Sequence, residues 1–496
     1  ARYDAAVTTE ENRRHWANAD LLSADAANSP AVRRTLRARS RYEVANNSYA
    51  RGIVLTLAND CVGTGPRLQM LTEDADANRT IELQFMRWAE SVRLAEKLRT
   101  MRMARAQDGE AFAMLTTNLR LDCPVKLDLR LIEADQIATP DAIGGRQNAT
   151  GRDAVDGIIF DAFGNPTEYH VLRQHPGSSV SGGAEYDRVA ASAMIHYHRN
   201  ERPGQSRGIP EITPALPLFA QLRRYTLAVI AAAETAADFA AVLYTDAPAN
   251  GESADVEPMD VVELERRMAT VLPGGWKLGQ VAAEQPATTY GEFKKEILNE
   301  IARCLNMPFN VAAGNSSGYN YSSGRLDHQT YYKAIRVDQA QMGAVVLDRI
   351  LAAWMYEAML VGLVDPATEG RSKEATEGQA QSSSSLGPFV ASSLPHQWFW
   401  DGMEHVDPAK EANAQSTRLA NHTTTLAWEY ARQGKDWEAE LRQRAKETSL
   451  MLELGLASDA NLPRPDSRAD TDSTSREDGE EDEDEQEQQR RGRQDE

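Results

Sequence analysis

The sequence predicts an α+β fold in which long helices are attached to a mixed helix-and-sheet body. Three observations predict it. Between Val62 and His198 apolar and polar residues alternate, as in Val125-Lys-Leu-Asp-Leu-Arg-Leu131, the period of a strand with one buried face. The first hundred residues, and the run from Ala215 to Tyr244 with its ten alanines up to Ala241, are helical in pattern. In the segment Gly291 to Leu305 the apolar residues Phe293, Ile297, Ile301 and Leu305 recur every four positions, with Leu298 and Ala302 beside them. A chain of 496 residues exceeds one ordinary core, so about two to four structural units are expected.

The N-terminal helices are rich in arginine: Arg33, Arg34, Arg37, Arg39, Arg41 and Arg51. A solvated, salt-bridged helical face is the expected reading, with pairing between subunits as the alternative. Gly157-Ile-Ile-Phe-Asp161, joined through Gly164-Asn-Pro166 to Glu168-Tyr-His-Val-Leu172, has the layout of a β-hairpin. Pro203, Pro210, Pro214 and Pro217 mark a boundary before the alanine-rich helix. That helix buries little apolar area per residue and suits close approach of other backbones. From Thr245 to Pro286 lies a small, irregular, acidic insertion with one helix-like piece, Val261 to Val271, and a turn at Pro273-Gly-Gly.

A Gly/Ser/Asn-rich loop with two tyrosines, NMPFNVAAGNSSGYNYSSGR from Asn306 to Arg325, then sits between two strongly helical segments. Loops of this size inside a folded domain are usually functional or disordered, and here both ends are anchored. The helix after it, Leu326 to Val364, contains no proline. Asp365 to Gly387 is low in complexity and reads as a mobile loop, Pro388 to Trp400 returns to an extended pattern, and two amphipathic helices follow from Asp407-Pro408, broken near Gly434 and ending around Gly455.

Charge and cysteine usage narrow the function. From Arg464 to Glu496 there are 14 acidic and 6 basic residues, a net −8 that leaves −12 of the chain's −20 on the preceding residues. The tail, with EDGEEDEDEQE at Glu477 to Glu487, has almost nothing to bury and is expected to be disordered. An acidic body disfavours tight binding of nucleic acid, whose affinity comes from phosphate neutralisation. It does not disfavour a surface that DNA passes without sticking. Cys61, Cys123 and Cys304 form neither a disulfide framework nor a metal knuckle, so a reducing interior is expected. No apolar run approaches the ~20 residues that cross a bilayer. No secretory signal is expected, and a start at Ala1 rather than Met suggests N-terminal processing or trimming.

The search for catalytic chemistry returns little. No Walker A sequence occurs; the nearest fragment, Gly434-Lys435-Asp436, lacks the glycine spacing and the hydroxyl. Gly314-Asn-Ser316-Ser-Gly318 matches the serine-hydrolase pattern G-x-S-x-G, but a helix precedes it where the nucleophile elbow needs a strand. His196 and His198 share one face of a strand without a third ligand at metal spacing, and the acidic insertion lacks the EF-hand glycine. No catalytic residue, cofactor or metal is expected.

Several blocks of the chain, in order, resemble the lambda-type portal proteins of tailed bacteriophages. They are Arg13-Arg-His-Trp-Ala-Asn-Ala-Asp20, Arg39-Ser-Arg-Tyr-Glu-Val-Ala-Asn-Asn47 and Cys61-Val-Gly-Thr-Gly65. Ile195-His196 and Arg202-Pro-Gly-Gln-Ser-Arg-Gly208 follow, then Tyr319-Asn-Tyr-Ser-Ser323 with Arg325, His405-Val-Asp-Pro-Ala-Lys-Glu411 and Gly434-Lys-Asp-Trp437. The order of the blocks over most of the chain carries the resemblance more than any one of them.

The resemblance implies a portal fold: an α/β wing, a two-helix stem, a small clip, a tunnel loop with a long helix, and a helical crown, closing into a ring, typically of twelve. Laid on this chain, residues 1–214 are the N-terminal region and wing, 215–244 the first stem helix, 245–285 the clip and 286–306 the second stem helix. Residues 307–325 are the tunnel loop, 326–364 the long helix, 365–406 a mobile loop and return strand to the wing, 407–458 the crown, and 459–496 the acidic tail. Asn315, Ser316, Gly318, Tyr319, Asn320, Tyr321, Ser322 and Ser323 would face DNA, although Tyr319 and Tyr321 could instead pack on a neighbouring subunit. Asp246, Glu252, Asp255, Glu257 and Asp260 would form the clip's partner surface. The implied partners are other copies of the chain, translocating double-stranded DNA, the major capsid protein, the terminase motor and a head-tail adaptor or head-completion protein. The implied location is the capsid portal vertex of the virion, after assembly in the host bacterial cytoplasm. The alternatives are a serine hydrolase built on Gly314, Ser316 and Gly318, or a capsid scaffold or adaptor that does not conduct DNA.

Overall fold

The computed structural model describes residues 3–139, 154–178, 185–238, 242–245, 276–279, 289–317, 321–364, 394–402 and 408–456. The chain divides into two compact units, residues 1–415 with 431–435, and residues 416–430 with 436–496. The first unit mixes helix and sheet as the alternation and periodicity predict.

Helices α1 (Ala24–Ala27), α2 (Pro30–Asn46), α3 (Ser48–Val62), α4 (Ala75–Ser91) and α5 (Leu94–Asp108) open it. Pro30 starts α2, where its missing N–H costs no hydrogen bond. The joint between α2 and α3 is a single residue, Asn47, which ends α2 and whose side chain accepts from Tyr49 N and Ala50 N to cap α3. Strands β2 (Glu110–Thr117), β3 (Leu127–Ile132) and β8 (Met194–His198) form an antiparallel sheet in the order β3-β2-β8. A second antiparallel sheet runs β4 (Ala154–Val155), β5 (Ile158–Phe160), β6 (Pro166–Leu172), β7 (Tyr186–Ala190). It contains the hairpin read from the sequence, with Ile158 opposite Tyr169. Phe112, Ile132, Ile158, Tyr169, Val171 and Met194 form a core that the two sheets share. Strand β1 (Arg67–Met70) pairs antiparallel with β11 (His396–Phe399), which lies in the segment with the extended pattern.

Helix α6 (Leu216–Asp238) and helix α7 (Thr289–Cys304) flank the acidic insertion. Strands β9 (Val242–Thr245) and β10 (Trp276–Gly279) pair antiparallel, with Thr245 opposite Trp276. The alanine-rich helix therefore ends at Asp238, and its expected last residues, Val242 to Tyr244, are strand. Short α8 (Phe309–Ala313) precedes α9 (Tyr321–Met342), which continues through one π-helical turn, Gly343–Leu347, into α10 (Asp348–Leu360). The long helix starts five residues earlier than expected, shortening the loop.

Two further cores organise the unit. In one, Phe85 and Trp88 of α4 meet Trp354 of α10, with ring centroids 5.3 Å apart for Phe85–Trp354 and 6.5 Å for Trp88–Trp354. In the other, Ile53 and Leu57 of α3 gather Leu216 and Phe219 of α6, Leu298 and Ile301 of α7, Phe309 of α8, and Tyr331 and Ile335 of α9. The second core thus holds the roots of both insertion-flanking helices and both helices beside the loop. The cysteines are free, and burial pushes the Cys61 thiol up to about 11.

After α11 (Pro408–Ala420), the second unit contains α12 (Leu426–Arg432, up to Tyr430) and α13 (Trp437–Glu453). Three helices stand where two were expected, because the chain also breaks at His422, which has φ 53°. Arg418 grips the buried carboxylate of Glu429 in a two-pronged contact, 2.9 and 3.0 Å. Helix α13 is capped by Asp436 and buries none of its residues, leaving Leu441, Leu450 and Leu452 exposed.

The acidic tail, and most of the segments expected to be a mobile loop and the clip, lie outside the described residues.

Candidate functional site: the loop-bearing helices and their buried anchors

Helices α6 and α7 pack side by side through aromatic contacts at the insertion end. The Tyr225 ring lies 4.8 Å from Phe293, edge-on, and 5.6 Å from Tyr290. Beyond α7, Gly314 stops α8 in the left-handed region at φ 63°. Asn315 then accepts from Ser317 N at 2.9 Å, and Asn315, Ser316 and Ser317 are exposed. The ends of this loop are fixed. Asn310 Nδ2 lies 3.0 Å from His328 Nε2, and Tyr331 donates its hydroxyl to Asp60 at 2.7 Å.

Two buried clusters of charge hold the framework around these helices, the first joining α2 and the loop before α6 to the first sheet, the second joining that loop and α9 to α5. Glu110, fully buried at the start of β2, receives Arg207 through Nε at 2.9 Å and Nη2 at 2.6 Å, Arg37 at 2.5 Å, and Gly208 N at 3.1 Å. His196 Nε2 on β8 lies 2.9 Å from its other oxygen. Burial works against the carboxylate's charge, but Arg207, the His196 hydrogen bond and Arg37 outweigh it, and Glu110 titrates well below the usual carboxylate range. Arg33 reaches Asp156, and Arg41 reaches Asp108 and Asp135, both at 2.7 Å.

In the second cluster Arg102 and Arg105, one turn apart on α5, share Glu211 and Asp338. Arg102 donates to them at 2.8 and 2.7 Å, and Arg105 at 2.8 and 3.0 Å. Glu211 stands just before α6, and Asp338 is on α9. The pair of arginines therefore ties the root of the first insertion-flanking helix to the helix that leaves the loop. Burial would raise Glu211, but Arg102 and Arg105 overcome it and hold it below its ordinary value.

A family model for "Phage portal protein, lambda family" matches residues 10–339, two-thirds of the chain. The match takes in both clusters and the loop and ends one residue past Asp338. The chain belongs to the lambda family of phage portal proteins. The protein named "Probable portal protein" of Halomonas phage phiHAP-1 is 25% identical over 451 residues, covering 85% of this chain and 81% of its own length. A chain from the neck of a native gene transfer agent particle, solved with C12 symmetry, aligns over 80% of this chain and 90% of its own at 12% identity and a TM-score of 0.43. One from the neck of the empty particle, solved with C6 symmetry, aligns over 64% and 80% at 15% identity and a TM-score of 0.41.

The blocks that resemble portal proteins acquire physical reasons here. In Arg202–Gly208, Arg207 neutralises Glu110, and Gly208 passes so close to the backbone that a Cβ would lie 2.1 Å from Gly109 O. Gln205 bridges Arg199 O and Arg207 O. In Cys61–Gly65, Gly63 has φ 56° and a Cβ there would meet the Asp401 carboxylate, which accepts from Thr64. The expected solvated arginine face holds for Arg34, Arg39 and Arg51, which are exposed, and is corrected for the rest of the stripe. Arg33 and Arg37 are 1% and 5% exposed. They are buried because Asp156 and Glu110 come to them across the fold. Positions 33, 37 and 41, four apart, were the available signal of one inward stripe.

Of the expected DNA-facing residues, Asn315 and Ser316 are exposed at the tip of the loop. Tyr321, Ser322 and Ser323 stand in the first turn of α9, not in the loop. Gly318, Tyr319 and Asn320 lie outside the described residues, as do Asp246, Glu252, Asp255, Glu257 and Asp260 of the expected partner surface. The hydrolase pattern gains nothing, since helix α8 precedes Ser316. His196 and His198 stack with centroids 4.0 Å apart beside the Arg207–Arg37 pair, a setting that repels a cation. Among the described residues one group, Glu133, Asp135 and His175, converges closely enough to hold an ion. Arg41 already pairs with two of the three, 2.7 Å from Asp135 and 3.6 Å from Glu133. No helix among the described residues is long and apolar enough to cross a membrane.

Proposed function

We propose that this portal-family chain closes into a ring, of twelve copies, at a capsid vertex, and that double-stranded DNA passes through the ring during packaging and ejection. Residues 1–214 with the return strand form the wing, α6 and α7 the stem, and residues 245–285 the clip. Residues 314–320 form the tunnel loop, α9 and α10 the long helix, and α11–α13 the crown.

The observation that carries the ring is the uncovered outer half of α6. Leu227 and Ile230 are 58% and 49% exposed on a helix with few charges, and Phe293 of α7 is 50% exposed. An apolar helix of this kind is normally buried, and copies of the same pair of helices set side by side would bury it. The chemistry asked of the ring is electrostatic. DNA carries about one charge per 1.7 Å of axis, and the body of each subunit carries −12 in sequence. A bore lined with that excess keeps the duplex centred and free of lasting phosphate contacts. Asn315 and Ser316 at the loop tip offer only weak hydrogen bonds. The clip's carboxylates would attract basic surfaces on the terminase and the adaptor.

Deleting Ser316 to Tyr321 tests the loop's role. Rings that assemble normally but fail to retain packaged DNA are the expected outcome; normal retention would remove the loop from the mechanism.

A further inference from the structure

Between α2 and the root of α6 runs a groove of about 560 Å³, walled by Leu36, Tyr42, Leu216 and Pro217. Glu43 also lines it. This residue is 7% exposed, and its Oε2 is shut off from solvent with no hydrogen-bond donor among the described residues. Arg39, one turn earlier on the same helix and also at the groove, does not donate to it. A carboxylate oxygen shut off from water without a donor is unfavourable. The groove therefore suits a cationic donor flanked by apolar surface.

The same chain displays such a group. None of residues 5–23 is buried, and this arm presents Arg13-Arg14-His15-Trp16, with Trp16 55% exposed and Leu21 fully so. We propose that, in the assembled ring, the Arg13–Trp16 segment of one copy docks in the α2–α6 groove of its neighbour. An arginine pairs with Glu43, and the Trp16 indole covers the wall made by Leu36, Tyr42 and Leu216. The charge of the arm's arginines and the unmet charge of Glu43 select this occupant over the arm's acidic stretch at Glu10 and Glu11. The arm then works as a strap between subunits, set on the outside of the stem's root. This inference rests on the ring reading.

The test uses the full chain with Trp16→p-benzoylphenylalanine, mixed with isotopically heavy copies, assembled and irradiated. Crosslinks joining position 16 of a light chain to heavy peptides containing Leu36–Glu43 or Leu216–Ala220 are expected. Glu43→Gln keeps the shape of the side chain and removes the unmet charge. It should lower the crosslink yield about tenfold without lowering the melting temperature of the unassembled chain. Arg13→Glu with Arg14→Glu should abolish the crosslink, and Glu43→Lys in the same chain should restore it. Rings whose crosslinks stay within one chain, or map to another surface or another protein, overturn the proposal, as does a Glu43→Gln ring with unchanged yield. Failure to form rings at all is a different result: it removes the ring reading, and the strap with it.

Discussion

At the scale of single residues the fold depends on charges taken out of water. Glu110 is matched by Arg207, Arg37 and His196. Removing one partner of a buried ionic group leaves the others uncompensated, at about 3–5 kcal/mol. Glu110→Ala should therefore destabilise the chain by that amount in denaturant melts, and Arg207→Met by a similar amount, whereas Arg34→Met at an exposed position on α2 should change little. The histidines beside this cluster set a pH dependence. Burial, then His196, pushes His198 down to about 3 from an ordinary 6.5, and burial also lowers His196. As pH falls through 6.5 the unfolded chain takes up protons that the folded chain refuses, so stability present above pH 6.5 drains away toward pH 3. Glu110 and Glu211, both depressed, act with the same sign below their ordinary 4.5. The melting temperature should fall steadily from pH 7 to pH 5, and His198→Phe should flatten that slope. A level wild-type profile over this range would contradict the account.

At the scale of elements the decisive contacts are close approaches and shared anchors. Gly109 and Gly208 touch backbone to backbone where the sheet meets the loop before α6, and a Cβ on Gly109 would lie 2.4 Å from Ile209 C. Gly208→Ala should leave the chain insoluble or molten, seen as lost near-ultraviolet dichroism with helix retained. Gly164→Ala, at a hairpin tip with open space around it, should fold, at a cost of about 1 kcal/mol for its φ of 84°. Much of this level was legible in the sequence. Strict alternation located β3, turn residues located the β5–β6 hairpin, and four-residue spacing located α7. The two-stranded ribbon of β9 and β10 was not, because Val242–Thr245 continues an alanine-rich run whose propensity is helical, and only its partner at Trp276–Gly279 makes it a strand. The charge clusters were invisible for a similar reason. Glu110 and Arg207 are 97 positions apart, and the α2 arginines find their acids across the fold. The early start of α9 escaped because Tyr321-Ser-Ser-Gly has the composition of a loop, while the helix is held further along by Tyr331 and Ile335 in the core.

At the scale of the whole molecule a single copy leaves apolar surface uncovered at α6, at Phe293 and along α13. That pattern, the lambda-family portal match and the acidic balance are what the proposed ring around DNA would reconcile. Association through α6 should be sensitive to charge. Ile230→Asp should leave a folded chain that fails to close, visible as a shift from ring to monomer in analytical ultracentrifugation. The fold class and the family's motif order were readable from the sequence; which surfaces lie open was not, since burial is settled only by packing.

The most direct test of the central claim is electron microscopy of the purified full-length chain, with mass determination of the particles. Closed rings with a central hole wide enough for a DNA duplex are the predicted result. A compact monomer that never forms rings, at high concentration or with capsid proteins present, would contradict the account.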